Sequence, residues 1–393
     1  MHQPELLIIS RQLMSVETNT VPAERKDYGN QHMTIAGVPG EAALVRYACF
    51  ICFLCLRSVY PLGMTNSASM PSQEPFRAAP FIKEIGRGKE GARNLTRADA
   101  AQLYQAMLER RVSDIELGAI LLAMRIKGET VDEIAGFMDA AEASFALLEA
   151  PAGRPMPVLI PTYNGARKLA NLTPLLAMLL ARDGVPVLVH GVMTDPGRVT
   201  TAEIFQALDW PIAADAKAAQ SQMDDGLPAF IAIENLAPQI AGLLALRRVL
   251  GVRSSTHTLV KILQPFRGPA LRLSSYTHPE YLTMLSEYFS TAAPVGRGDA
   301  FLMRGTEGET VANARRAHRI DWFHGGVCRT LVDREGFVDI APDMPAATDP
   351  ATTACWIKRV LDGSHPVPPA IAVQVARCTA IAKGLPPIAA DSA

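Results

Sequence analysis

The sequence has almost no excess of either charge: 38 Lys and Arg stand against 39 Asp and Glu in 393 residues. Composition alone therefore argues neither for nor against a polyanionic partner, and charge has to be read locally. Long apolar runs are also missing. The stretch "YACFICFLCL", residues 47–56, lies between Arg46 and Arg57 and is ten residues long, whereas a bilayer crossing takes about 20. Some 45 mixed residues precede it, unlike the start of a secretory leader. Cysteine is sparse: Cys49, Cys52 and Cys55 share that apolar run without a nearby fourth ligand, and Cys328, Cys355 and Cys378 are scattered. The first three read as apolar packing rather than a metal or cluster site, and the set suits reduced thiols in the cytoplasm. What remains, 49% hydrophobic and 20% charged, is the make-up of a soluble globular protein large enough for two domains.

Residues 1–75 show no sustained periodicity and end in "MTNSASMPSQEP", a Ser/Pro/Asn stretch that reads as linker. They are expected to be a disordered or mis-annotated extension, with translation starting at Met64 or Met70. From residue 76 onward 33 residues of each sign remain, so the body is neutral too. Residues 76–150 read as a helical domain. Thr96 with Asp99, Ser113 with Glu116 and Thr130 with Glu133 each place a hydroxyl and a carboxylate at a helix start. Apolar positions in "DIELGAILLAMRIKGETVDEIAGFMDAAE" recur at steps of three and four, the spacing of helices that pack on one another.

After the break "APAGRPMP", short apolar runs alternate with helical stretches: "PVLIPT", "VPVLVHG", "PAFIAI", "ALRLSS" and "DAFLMRG", the last leading to a helix over "TVANARRA". That alternation predicts an α/β domain over residues 155–393 with a mainly parallel central sheet, and helices near 235–265 returning to the helical domain. Ligands of such sheets bind beyond the carboxyl ends of the strands, so the loops after Ile160, Val189 and Met303 should border one cleft.

The chemistry available to that cleft is mixed. "GRGKEG", residues 86–91, fits G-x-G-x-x-G but follows the helical "FIKEI", so it reads as a turn rather than a dinucleotide site. "PTYNGARKLANLTP", residues 161–174, offers a tight Asn164-Gly165 turn, Arg167 and Lys168, and a helix start with Asn171 and Thr173 that suits an anion. The same residues equally make an ordinary turn and helix cap. "PVLVHGVMTDPGRVTTAEIFQALD", residues 186–209, has the strand, turn and helix of a phosphate site, yet shows Val192, Met193 and Asp195 where a phosphate wants Lys, Ser or Arg. His324 and Cys328 in "DWFHGGVC" are two of the ligands a metal site would need, and read as core packing. Residues 235–279 carry six basic residues, Arg247, Arg248, Arg253, Lys261, Arg267 and Arg272, and no acidic one. They are either solvated charges around a helix end or a groove for nucleic-acid phosphates, with His257, Phe266 and Tyr276 available to stack on bases.

"NLTRADAAQLYQAML", "AILLAMRIKGETVDEIAG" and "RRVLGVRSSTH" resemble the anthranilate phosphoribosyltransferases, of the glycosyltransferase family 3 and nucleoside phosphorylase class II group. That resemblance implies a small N-terminal helical domain, a larger α/β domain, and a cleft between them for phosphoribosyl pyrophosphate and magnesium. It also implies that the cleft is altered. The family's glycine-rich turn is "PTYNGA" here, keeping Thr162. Asn171 and Thr173 match the family's helix start, His190 and Gly191 survive from its K-H-G-N-R motif, and its magnesium-binding acidic pair falls on Thr310 and Val311. Glu307 and Glu309 are close but out of register. Thr162, Asn164, Gly165, Arg167, Asn171, Thr173, His190 and Gly191 would then be a vestigial sugar-phosphate pocket.

Further strings, "IKEIGRGK", "PTYNGARKLANLTPLLA", "VLVHGV", "ALRLSSYTHPEY" and "GTEGE", are similar to a bacterial DNA-binding branch of that family. This implies a homodimer that binds DNA or RNA, single-stranded or duplex, without sequence preference, needing no cofactor. The alternative is an active phosphoribosyl or other glycosyl transferase with an altered acceptor, which alone would call for magnesium.

Overall fold

Two hydroxyl and carboxylate pairs near the N-terminus set the first helices. Ser113 and Thr130 each accept a backbone N–H from the glutamate three residues on, and Glu116 and Glu133 each return a carboxylate to the capping residue's own N–H, satisfying orphan donors from both directions. Thr96 caps through its hydroxyl, but Asp99 bonds that hydroxyl rather than completing a box. The computed structural model describes residues 74–88, 90–316, 319–333 and 343–386. The Cys49, Cys52 and Cys55 cluster, Met64 and Met70 lie outside them. The described residues fall in one unit, Pro71–Ala393.

The helical domain consists of α1 (Ala79–Ile85), α2 (Arg97–Leu108), α3 (Asp114–Lys127) and α4 (Val131–Ala143). Glu133, fully buried, ties it together by accepting from Leu95 N–H and the Lys127 ammonium at 2.8 and 2.7 Å. After residues 150–157 the chain enters an eight-stranded sheet: β1 (Val158–Thr162), β2 (Val187–Gly191), β3 (Ile212–Ala213), β4 (Ala229–Ala232), β5 (Leu271–Tyr276), β6 (Ala300–Arg304), β7 (Ile320–His324) and β8 (Val327–Val332). The order is β3-β4-β2-β1-β5-β6-β7-β8. β1 to β6 are parallel, and β7 and β8 run antiparallel. The chain is thus an α/β protein with a small helical domain and a mainly parallel sheet.

The sheet separates two cores. One contains Leu175, Leu179, Phe205, Trp356 and Ile357, from the helices Thr173–Arg182, Thr201–Ala207 and Pro350–Leu361. The other joins Leu159 and Leu188 of the sheet to Leu103, Ile134 and Phe137 of the helical domain. The short helices Pro238–Ala245 and Thr256–Leu259 pack on α2 and α4, and Tyr104 hydroxyl meets Thr256 Oγ1 at 3.0 Å.

Two details differ from the sequence reading. Residues 310–316 form turns, not a helix, because the chain must reverse there to bring β7 back antiparallel to β6. "DWFHGGVC" is the β7–β8 hairpin turning at Gly325 and Gly326, both at positive φ. In it His324 Nδ1 lies 2.8 Å from Asp299 and Cys328 is on the partner strand, and both are exposed rather than packed in the core, because they flank the turn at the sheet edge.

Candidate anion-binding cleft

Gly191 ends β2 against β1 so closely that an added Cβ would lie 1.9 Å from the Thr162 carbonyl oxygen. That contact needs glycine, and it brings the loops after β1 and β2 together. Asn171 Nδ2 reaches Thr201 Oγ1 at 3.0 Å, which in turn lies 2.6 Å from Thr162 Oγ1. Asn171 Oδ1 accepts the N–H of Thr173, the first residue of the helix that follows, at 3.1 Å. His190 is buried, with Nδ1 2.7 Å from the Tyr163 hydroxyl and no partner at Nε2. Burial lowers its pKa to about 3, so the ring is neutral. Gly165 takes a left-handed φ of 63°, and its carbonyl accepts from Arg198 at 3.1 Å.

The turn after β1 directs a row of backbone N–H groups to one place, as an anion site requires. Those donors are already used. Glu309, fully buried, accepts from Asn164 and Gly165 N–H at 2.9 and 2.5 Å. Glu307 accepts from Arg167, Lys168 and Leu169 N–H at 2.6, 2.7 and 3.0 Å. Asn164 Nδ2 donates to Gly308 carbonyl oxygen at 2.8 Å. Glu307 itself lies at φ 54°, an unfavourable conformation for a side-chain-bearing residue that its three acceptor contacts hold in place. Two carboxylates of the chain therefore stand where a bound phosphate would stand.

Magnesium and phosphoribosyl pyrophosphate fit this arrangement poorly. Thr310 and Val311, at the place of the acidic pair, are buried and carry no carboxylate, while both oxygens of Glu307 and the Oε1 of Glu309 are committed to backbone donors. Among the described residues no group of three or more His, Cys, Asp or Glu is placed to hold a metal ion. Val192 and Met193 line a cavity of about 370 Å³ with Tyr163, Asp195, Arg247 and Arg248. Arg167 is exposed.

Positive charge gathers on the opposite wall. Arg247, Arg253 and Lys261 line an adjoining cavity of about 530 Å³ together with His257, Tyr276 and Tyr281. Two cations that the sequence reading passed over, Arg125 from α3 and Arg198 from the loop after β2, line it as well. Arg247 bonds Asp195 at 3.2 Å, and Arg125 donates to the Tyr281 hydroxyl at 3.1 Å. Burial, then the neighbouring Arg247 and Arg198, lower the Arg253 pKa. Burial brings Lys261 down to about 8 and, with Arg253 and Arg247 adding to it, His257 to about 4.

Three residues expected in a basic groove are not there. Arg272 is 3% exposed, near the start of β5, with its guanidinium over the Phe289 ring at 5.3 Å. Phe266 is fully buried and cannot stack on a base. Arg267 is exposed but precedes β5, at the end of the sheet away from the cleft, and pairs with Glu149 at 2.7 Å. The run of six cations is thus divided between Lys261 and Arg267, where the chain passes from the cleft end of the sheet to the end at which β5 begins.

Comparison with known proteins agrees with this architecture. Residues 79–144 match the glycosyl transferase family, helical bundle domain. The uncharacterized protein YbiB of Escherichia coli K12 is 46% identical over 301 residues, covering 76% of this chain and 92% of YbiB. The chain belongs to the YbiB family. The anthranilate phosphoribosyltransferase of Methylocella silvestris is 26% identical over 292 residues, 71% of this chain and 79% of that enzyme. The crystal structure of the Thermus thermophilus enzyme superposes with a TM-score of 0.61 at 21% identity, covering 77% of this chain and 89% of that one. No helix among the described residues is long and apolar enough to cross a membrane.

Proposed function

We propose that this protein binds nucleic acid, DNA or RNA, without sequence preference, on a phosphoribosyltransferase scaffold that no longer grips pyrophosphate. One observation carries the reading: the backbone donors of the old anion turn are filled by Glu307 and Glu309, while Arg125, Arg198, Arg247, Arg253 and Lys261 converge on the facing cavity. Transfer of a phosphoribosyl group needs cationic and metal stabilisation of a departing pyrophosphate, and Glu307 and Glu309 occupy the backbone donors that would meet it. Cations on a cleft wall attract phosphodiester backbones and carry no base information. A cytoplasmic site of action goes with this reading.

The protein is also proposed to act as a homodimer. Ile115, Leu122 and Ile126 on α3 are 85%, 48% and 57% exposed, and with Ala119 they form a stripe at helical spacing. Such a stripe fits a two-fold contact with a second copy.

Titration of labelled single-stranded and duplex DNA under rising salt tests the function. With six cations engaged, counting Arg248, log affinity should fall with log salt at a slope of about −4 on single strands and about −5 on duplex. Neutralising Arg247, Arg248, Arg253 and Lys261 together should flatten the slope. Absence of binding to either form at low salt overturns the proposal, as does steady turnover with phosphoribosyl pyrophosphate and magnesium.

A further inference from the structure

The five cations around the larger cavity outnumber the charge of any single phosphodiester. They come from separate parts of the chain: Arg125 from α3, Arg198 from the loop after β2, Arg247 from the helix Arg247–Leu250, and Arg253 and Lys261 from the segment around the helix Thr256–Leu259. A passing backbone presents one negative charge per phosphate and is met by cations spread along a track. These cations instead share one concavity of about 530 Å³, within the range of small-ligand sites. Its carboxylates are few. Glu280 and Glu307 line it, but Glu307 is committed to three backbone donors, Asp195 pairs with Arg247 and partly offsets Arg253, and Glu309 behind the wall partly offsets Lys261, which leaves the five cations in excess. Arg253 is held below its usual basicity by burial and by Arg247 and Arg198, so the guanidinium groups repel one another until an anion enters.

A phosphate at a chain end differs from an internal one in two ways. It carries about −1.5 to −2 at neutral pH, and the polymer continues from one side only, so it can enter a blind pocket. Here Asn164 and Glu307 form one wall of the cavity, and the backbone donors behind that wall are taken. Hydroxyls and rings for the attached nucleoside are present in Thr258, Ser275, Tyr276 and Tyr281.

We propose that the cavity lined by Arg125, Arg198, Arg247, Arg253 and Lys261 is a terminal-phosphate pocket, taking the phosphomonoester of a nucleic-acid strand end or of a free nucleoside monophosphate. This rests on the nucleic-acid reading above and adds to it a preference for ends over internal positions. The same oligonucleotide with 5′-phosphate, 3′-phosphate or hydroxyl ends, in anisotropy titrations at fixed salt, tests it. One phosphorylated form should bind at least fivefold more tightly than the hydroxyl-ended one. Lys261→Met and Arg198→Gln, each checked for folding by circular dichroism, should weaken both forms but the phosphorylated one more, so that the ratio between them falls to within about twofold, whereas Arg267→Ala should leave the fivefold ratio intact.

Competition by a nucleoside 5′-monophosphate that removes only the end-dependent part assigns the pocket to the free nucleotide as well. Failure to compete restricts it to strand ends. Equal affinity for all three oligonucleotides overturns the pocket and leaves general nucleic-acid binding standing. If no oligonucleotide binds, the general function falls, and calorimetry with the nucleoside monophosphate against the bare nucleoside decides the pocket: heat from the monophosphate alone supports it, and none overturns it.

Discussion

Glu309 Oε1 accepts the Gly165 N–H at 2.5 Å across 144 residues of sequence. Through that contact the loop after β6 seals the turn after β1. Glu309→Ala would leave two buried N–H groups unpaired, and stability should fall by about 2–4 kcal/mol, read from urea unfolding. Glu307→Ala frees donors nearer the solvent, so it should cost about 1 kcal/mol or less, and added sulfate should recover the loss. Equal losses for both variants would contradict the difference in burial.

Acid should destabilise the fold through His190. Its ring titrates near 3 in the folded chain and near 6.5 when unfolded, so between those values the unfolded state binds more protons. Stability is then full above about pH 6.5 and declines as the pH falls. At pH 5 the loss from this residue alone is about 2 kcal/mol, and His257, lowered to about 4, adds to it. A urea midpoint unchanged between pH 7 and 5 would rule out neutral burial.

Binding should weaken in alkali. The free protein's Lys261 amine titrates near 8, and an anion raises that value, so binding takes up a proton above it. Affinity for DNA should be level up to about pH 8 and decline beyond, and Lys261→Arg should remove the decline. The measurement is anisotropy at constant ionic strength.

The cations should divide by their end of the sheet. Arg267→Ala should leave DNA affinity within about twofold, whereas Arg125→Ala or Arg198→Ala should each weaken it and reduce the salt slope by about 1. An Arg267 effect as large as that of Arg198 would place the interface elsewhere.

The α3 stripe predicts that Leu122→Asp with Ile126→Asp moves the sedimenting mass from dimer to monomer without lowering helix content. A dimer that persists through both changes would show that this face is not the contact.

Much of the architecture is local and therefore legible in one dimension. The capping pairs at Ser113 and Thr130, and the apolar runs that become β1, β2, β4, β5 and β6, depend on residues a few positions apart. So does the glycine-containing turn after β1. The antiparallel hairpin of β7 and β8 was less visible, since its first strand is buried and its second largely exposed, with no common alternation to mark them as a pair.

By itself the sequence determined the two-domain α/β plan, the helix starts, and the fact that Lys and Arg replace acid over residues 235–279. Only the tertiary structure decided what those charges meet. It buried Arg272 within β5 against Phe289, turned Arg267 toward Glu149, brought Arg125 and Arg198 to the cleft, and set Glu307 and Glu309 on the anion turn. The physical reason is range: hydrogen-bonded caps and hydrophobic periodicity act between near neighbours, whereas the partner of a charge is whatever the fold places beside it.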